Sequence, residues 1–197
     1  MAHPDSRKRE EFAKWALPHM DHVYTAGVYL TRNEDEAEDL LQETFLRAYR
    51  FWHQFTPGTN CRAWLITILH NTFKNRYRER YREQQAIEFD EAAVEVDDAT
   101  RADMQRADPE SIVFSRLLDG EVQEALHRLP LPFLEVVVMV DIQEMSYEEA
   151  AAATGSPIGT VRSRLSRARR MLHTALARYA EERGFRRGGT YALRRVP

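Results

Sequence analysis

The segment of residues 146–172 constrains the fold more than any other part of the chain, because it carries start and stop signals for two short helices. Ser146, followed three residues later by Glu149, forms a capping box that predicts a helix start. Gly155 is a typical helix stop. Ser156 then offers an N-cap oxygen, and the proline after it favours the first turn of a second helix. This spacing predicts a helix-turn-helix.

The second of these helices has two unlike faces. At about 100° per residue, its apolar side chains fall on one stripe, which is Val161, Leu165, Ala168, Leu172 and Leu176. The other side is basic and polar, and such side chains can contact guanine, phosphate and base edges. A solvated surface helix is the simpler alternative, but no acidic residue interrupts residues 156–179. We predict DNA contacts from Ser156, Thr160, Arg162, Ser163, Arg167 and Arg170.

Charge is sorted along the chain although the formal net charge is only -3. Residues 156–197 contain 11 Arg against 2 Glu, and residues 61–82 contain 6 basic residues against 1 Glu. Between them, residues 83–111 contain 10 acidic residues against 2 Arg. Two basic segments flanking an acidic one are expected of a protein that touches nucleic acid at two separate places.

The remaining patterns predict an all-α fold of two small helical domains. Apolar periodicity indicates a helix interrupted at Pro18, a second capped by Asn33 and a third capped by Asn60. A stretch without periodicity follows and is predicted to be a flexible acidic linker. The predicted boundaries are 1–82 for the first domain, 83–111 for the linker, 112–183 for the domain with the helix-turn-helix, and 184–197 for a basic tail.

Cysteine usage and hydropathy exclude several classes of protein. Cys61 is the only cysteine, so neither an internal disulfide nor a cysteine-cluster metal site can form. No segment approaches the ~20 apolar residues of a membrane span, and the N-terminus does not resemble a signal peptide. The expectation is a soluble, cytoplasmic protein without cofactor or metal.

Three motifs, in order, resemble the extracytoplasmic-function (ECF) group of bacterial sigma factors, over residues 12–184. EAEDLLQETFLRAY resembles the helix that docks on core RNA polymerase, NCRAWLITILHNTFKNRYR resembles the segment that opens and reads the minus-ten element, and SYEEAAAATGSPIGTVRSRLSRAR resembles the reader of the minus-thirty-five element. Three further stretches, FWHQFTPGTNCRAWL, PIGTVRSRL and YAEERGF, resemble the branch that answers thiol oxidation. That branch implies a zinc-binding anti-sigma partner.

The resemblance assigns roles to particular residues. Three polar side chains on one side of a helix would bind core polymerase, and these are Asp39, Gln42 and Glu43. The minus-ten reader would use Trp64, Asn71, Lys74, Asn75, Arg76 and Arg78, with a pocket for one flipped base built by this helix and the loop of residues 55–60. Asparagine amides can hydrogen-bond an extruded base while basic side chains hold the backbone. Trp64 could equally be a core residue.

Two other classes of function fit the sequence less well. The first is an ordinary helix-turn-helix regulator with a ligand-sensing or dimerising domain, but such a regulator does not account for the second basic helix. Co-purification with core polymerase would distinguish it from a sigma factor. An enzyme would have to use His19 and His22 with the carboxylates of Glu34, Asp35, Glu38 and Asp39. No His or Cys partner lies at metal-binding spacing from these acids, and there is no glycine-rich phosphate loop. We therefore expect a non-catalytic specificity subunit that binds core RNA polymerase and promoter DNA.

Overall fold

The computed structural model describes residues 4–87 and 120–182, and within these ranges it is helical and contains no strand. The predicted all-α class is confirmed. The helices are α1 (Pro4–Trp15), α2 (Met20–Thr31), α3 (Glu34–Arg50), α4 (Cys61–Ile87), α5 (Gly120–His127), α6 (Leu131–Val137), α7 (Tyr147–Thr154), α8 (Ile158–Ala175) and α9 (Ala177–Glu182). None of them is long and apolar enough to cross a membrane.

Side-chain caps start the helices where the sequence predicts them. The side chain of Asn33 accepts from the backbone N–H of Glu36 at 3.0 Å, and that of Asn60 accepts from the N–H of Ala63 at 3.1 Å. The capping box of α7 is complete: the hydroxyl of Ser146 accepts from the Glu149 N–H at 3.1 Å, and the Glu149 carboxylate accepts from the Ser146 N–H at 2.8 Å. Each cap satisfies a backbone donor that would otherwise lack a partner.

The start of α8 differs from the prediction. Pro157, not Ser156, occupies the N-cap position, and no side chain caps this helix. The reason is the way that α7 ends: Gly155 adopts the left-handed conformation with φ +64°, and the N–H of Ser156 turns back to the Ala151 carbonyl at 3.1 Å. Ser156 therefore completes the end of α7 instead of starting α8.

The boundary of the first domain also differs from the prediction. Helix α4 continues to Ile87, five residues into the segment that was expected to be linker. The rest of the predicted linker, residues 88–111, lies outside the described residues, as do residues 112–119 and the basic tail.

Two groups of helices form the fold. In α1–α4, the fully buried Val23, Leu40, Leu65 and Leu69 form the centre of the core. Beside them, Phe12 packs edge-on against Trp52, with ring centroids 5.1 Å apart. These aromatic side chains fix the connection between α3 and α4, where the predicted helix break occurs.

The second group consists of α5–α9 and is built around α8. Leu134 and Met139 pack against the buried stripe of α8, represented by Val161 and Leu165. Helix α6 runs directly into a π-helical turn, Val138–Ile142, before the chain reaches α7. The small, buried alanines of α7 let α8 cross it closely, as the helix-turn-helix requires.

The two groups are packed against each other in one continuous hydrophobic cluster. Helix α4 contacts α7, and α2 contacts both α6 and the π-helical turn. No sequence pattern indicated this contact, because the predicted linker suggested domains that fold apart. The structure contains both predicted helical groups and joins their cores.

Candidate nucleic-acid interface

Helix α8 presents the predicted basic face to solvent. The side chains of Arg162, Ser163, Arg167 and Arg170 are exposed, while Ser156 and Thr160 are partly buried. The guanidinium of Arg162 lies 5.4 Å from the centre of the Tyr147 ring, and the hydroxyl of Ser163 donates to the Thr160 carbonyl at 3.0 Å. The face can therefore offer three arginines and short hydroxyl side chains to one ligand.

The orientation of α8 is fixed by its other faces. Val161 and Ala168 are completely buried on the apolar stripe. Arg169 donates two hydrogen bonds to the mostly buried carboxylate of Asp141, at 2.6 and 3.2 Å. The hydrogen bonds to Asp141 raise the pKa of Arg169. Sequence reasoning missed this pair because the two residues are 28 positions apart and nothing local marks Asp141 as a partner.

The predicted minus-ten residues on α4 fall into two sets. Asn71, Asn75 and Arg78 are exposed, and Lys74 is half-buried next to them. The two asparagines are four residues apart and so lie on one face of the helix. This face combines amide groups with positive charge and is open to a ligand.

Trp64 belongs mainly to the packed aromatic cluster. Its ring centroid lies 5.8 Å from that of Trp52 and 5.4 Å from that of Phe55, and the side chain is partly buried. In the loop before α4, Gly58 adopts φ +90°, which permits a tight turn. Trp64 therefore packs in the aromatic cluster of the core and is at the same time partly exposed.

Arg76 contacts α3 and does not belong to the open face that carries Asn71 and Asn75. Its guanidinium contacts the Glu43 carboxylate at 2.6 and 2.7 Å and donates to the Asp39 carbonyl at 3.2 Å. Glu43 also pairs with Arg47 at 2.6 Å. A residue predicted to hold DNA thus bridges to a helix predicted to bind polymerase. The ordering of Glu43 by two arginines could not be read from the sequence, since Arg76 is 33 residues away.

The predicted docking patch on α3 is an exposed surface with an apolar centre that sequence reasoning missed. Asp39 and Gln42 are exposed, whereas Leu40 and Thr44 on the opposite side are fully buried. Leu46, one turn beyond Gln42, is 72% exposed, the largest exposure among the large apolar side chains that the structure describes. Helical spacing could have found it, because Leu46 shares the face of Gln42 and lies off the apolar stripe.

The histidines weighed as enzymatic candidates do not form a site in the described ranges. The rings of His19 and His22 are 6.4 Å apart, and residues 4–87 and 120–182 contain no group of three or more His, Cys, Asp or Glu side chains arranged to hold a metal. Burial and the neighbouring charges of His22 and Arg62 lower the pKa of His19. Cys61 is buried, and burial raises its pKa to about 11.

Comparison with known proteins gives two family matches, similar sequences and similar solved structures. Residues 15–83 match the family model for sigma-70 region 2, and residues 119–172 match that for sigma-70, region 4. The chain is 39% identical over 150 residues to the ECF RNA polymerase sigma factor EcfG of Rhodopseudomonas palustris, covering 76% of each chain. It is also 39% identical to SigE of Mycolicibacterium smegmatis over 83% of this chain, and spans 61% of that relative's length.

Two solved structures are similar in fold over most of this chain. The sigma factor RpoE from Bartonella quintana, in complex with the anti-sigma factor NepR, has a TM-score of 0.66 and 32% identity, covering 85% of this chain and 98% of that one. CnrH, in complex with the cytosolic domain of CnrY, has a TM-score of 0.57 and 25% identity, covering 86% and 90%. With both sigma-70 regions matched in order, the chain belongs to the ECF RNA polymerase sigma factors, a family of non-catalytic transcription initiation subunits.

Proposed function

We propose that this chain binds core RNA polymerase through α3, reads and opens the minus-ten element with α4, and reads the minus-thirty-five element with α8. The observation that carries the proposal is the pairing of three exposed polar faces with the two matched sigma-70 regions, each face lying on the helix where its motif occurs. The protein would act in the cytoplasm with polymerase and has no catalytic role of its own.

For polymerase docking, α3 supplies a patch in which acceptors surround an apolar centre. Asp39 offers a carboxylate and Gln42 an amide, and Leu46 provides exposed apolar area that water would leave on binding. Glu43 is held in place by Arg47 and Arg76, so its carboxylate is already ordered before docking. Pre-ordering lowers the entropy cost of forming the complex.

For the minus-ten element, the exposed face of α4 suits a single strand better than a duplex. Asn71 and Asn75 can hydrogen-bond the edge of an unstacked base, and Lys74 and Arg78 can hold the phosphates on either side. Arg76 contributes through α3, where it orders Glu43. We therefore assign Arg76 to the link between docking and promoter opening.

For the minus-thirty-five element, α8 enters the major groove with its exposed arginines. Arg167 can bind a guanine edge through two hydrogen bonds, while Arg162 and Arg170 hold phosphates. The short side chains of Thr160 and Ser163 let the helix approach the bases closely. The pair between Asp141 and Arg169 is a positioning contact that holds α8 against the π-helical turn that follows α6.

We further propose that an anti-sigma protein controls the chain, and that its signal is thiol oxidation. The first part is supported by RpoE, whose solved structure is a complex with the anti-sigma factor NepR. The second is supported by the sequence resemblance and by Cys61, the only cysteine, whose thiol is buried with a pKa of about 11. Because burial keeps this thiol protonated at neutral pH, the reactive dithiol would belong to the partner, where it would be held in a zinc site.

Run-off transcription with purified core polymerase and a promoter library tests the main proposal. Wild-type chain should start transcription at a defined subset of promoters, and Asp39→Ala combined with Gln42→Ala should abolish it by preventing association with core. The matched control is Glu121→Ala with Gln123→Ala, which likewise removes one carboxylate and one amide, but from α5. Tight, promoter-specific binding by the chain without polymerase would favour an ordinary regulator instead.

A further inference from the structure

Tyr147 belongs to the first helix of the helix-turn-helix but contacts the second. It is the first residue of α7, and its side chain is partly buried and packs against the hydrophobic core. The guanidinium of Arg162, on α8, lies over the Tyr147 ring, 5.4 Å from its centre. Cations are attracted to an aromatic ring within roughly 6 Å of its centre. A residue outside the reader helix therefore holds one of the side chains predicted to bind DNA.

The backbone end of Tyr147 is fixed by the capping box of α7. Ser146 and Glu149 exchange hydrogen bonds at 3.1 and 2.8 Å, and Tyr147 lies inside the turn that these bonds close. A capping box satisfies two backbone donors at once, which stabilises the first turn of a helix. The direction in which the tyrosine side chain leaves the backbone is therefore well defined.

The hydroxyl end of Tyr147 lies near a second arginine of α8. Arg169 donates to both oxygens of the mostly buried Asp141 carboxylate, at 2.6 and 3.2 Å. The hydrogen bonds to Asp141 raise the pKa of Arg169, and the nearby hydroxyl of Tyr147 raises it further. Arg162 and Arg169 are seven residues apart, so they lie about two turns apart on one side of the helix. The tyrosine spans both, with Arg162 at its ring and Arg169 at its hydroxyl.

Arg162 is held differently from the other two arginines predicted to bind DNA. In residues 4–87 and 120–182, the exposed side chains of Arg167 and Arg170 have no hydrogen bond, ion pair or ring contact. A free arginine loses rotamer freedom when it binds phosphate, and this loss opposes binding. Contact with a ring removes part of that freedom beforehand and leaves guanidinium N–H groups available for a phosphate. Arg162 is therefore pre-ordered for one contact, whereas Arg167 and Arg170 are not.

We propose that Tyr147 is a positioning residue for minus-thirty-five recognition, and that its ring holds Arg162 in the orientation that receives a DNA phosphate. The inference rests on the proposed function of α8. Tyr147 acts through Arg162 and makes no contact with DNA itself. The capping box and the pair of Asp141 with Arg169 keep the ring in place, so the end of the motif that carries no reader residue still sets where the reader helix touches the backbone of the promoter.

Nuclear magnetic resonance of the free chain tests the contact without polymerase or promoter. Protons over the face of an aromatic ring are shielded, so the Nε–H signal of Arg162 should lie upfield of the Arg170 signal in the same spectrum. Tyr147→Phe should keep the shift, and Tyr147→Leu should abolish it. Equal shifts for Arg162 and Arg170 in the wild-type chain would overturn the proposal. This comparison needs no variant to fold.

Promoter binding by the complex of the chain with core polymerase tests the role of the contact. Tyr147→Leu should weaken binding by about twofold to fivefold, the size expected of an exposed cation–π contact. In an Arg162→Ala background, Tyr147→Leu should have no further effect, because the side chain that it positions is gone. Arg162→Ala should also lower the slope of log affinity against log salt concentration by about one, since one phosphate contact is lost.

The matched control is the same cycle on Tyr147 and Arg170, where the two losses should multiply because Arg170 does not touch the ring. Tyr147→Phe should bind within about twofold of wild type, since it keeps the ring. Two results would overturn the proposal. One is an equal effect of Tyr147→Leu with and without Arg162, which indicates a general structural role. The other is a Tyr147→Phe protein as weak as Tyr147→Leu, which indicates that the hydroxyl acts on DNA.

Failure of the wild-type chain to form promoter complexes with core polymerase would instead refute the proposed function. In that case the Nε–H signal of Arg162 still decides whether Tyr147 holds this arginine. The two failures are therefore distinguishable.

Discussion

Removing Arg76 tests whether this arginine of α4 stabilises the contact with α3. Its guanidinium places Nε and Nη2 at 2.7 and 2.6 Å from one oxygen of Glu43, and the other carboxylate oxygen takes Arg47. The side chains of Arg76 and Glu43 are 32% and 28% exposed. The pair is therefore partly shielded from water and salt but is not buried.

The expected size of the interaction follows from this intermediate exposure. Fully exposed ion pairs contribute up to about 1 kcal/mol, and hydrogen bonds to charged groups in shielded sites contribute about 1.5–3 kcal/mol. For Glu43 and Arg76 we expect a coupling energy of about 1 kcal/mol, since two thirds of each side chain is covered. Arg47 will partly compensate when Arg76 is lost, which keeps the value at the lower end.

Urea denaturation of four proteins measures it: wild type, Glu43→Ala, Arg76→Ala and the double variant. The matched control is the cycle on Arg7 and Glu11, an i, i+4 pair at 3.0 Å with side chains 81% and 45% exposed, where about 0.3–0.5 kcal/mol or less is expected. Equal coupling in both cycles would refute the reasoning. So would an Arg76→Ala protein of wild-type stability whose defect is confined to DNA binding.

Three further changes have expected outcomes. Ser146→Ala removes the acceptor of the α7 capping box and should lower the free energy of unfolding by about 1 kcal/mol in urea denaturation; an unchanged midpoint would contradict the role of this cap. Alkylation of native Cys61 should rise about tenfold for each pH unit approaching its pKa of about 11, and rapid labelling at neutral pH would show a reactive thiol instead. Arg167→Ala should cost roughly 1–3 kcal/mol at particular minus-thirty-five positions in a promoter-variant binding assay, whereas Arg170→Ala should weaken all variants alike; matching profiles would reject this division of roles.

Local signals predicted the helices of this chain well. Asn33, Asn60 and Ser146 each cap the helix that follows, and Gly155 ends α7 in the left-handed conformation, because these interactions involve residues within four positions of one another. The apolar stripe of α8 was found for the same reason. The exception is Ser156, whose N–H is needed by the preceding helix.

Contacts between distant residues could not be predicted in this way. The sequence pattern predicts that Arg76 is an exposed basic residue, and only the fold shows that it faces α3. No sequence pattern near Asp141 indicates its ion pair with Arg169. Likewise, no pattern near Gln143 indicates its hydrogen bond to the carbonyl of His22. Candidate site residues were therefore identified by type and face, while their partners and the packing of the two groups depended on tertiary structure.

The π-helical turn at Val138–Ile142 makes the chain length at this point critical. Here the N–H of Gln143 bonds to the carbonyl of Val138, one residue further back than in an α-helix. Deleting one residue from the turn would allow regular α-helix, and all that follows would rotate by about 100° and move by about 1.5 Å. Such a deletion would separate Asp141 from Arg169 and turn Gln143 away from the carbonyl of His22, so a single missing codon would do more damage here than most substitutions.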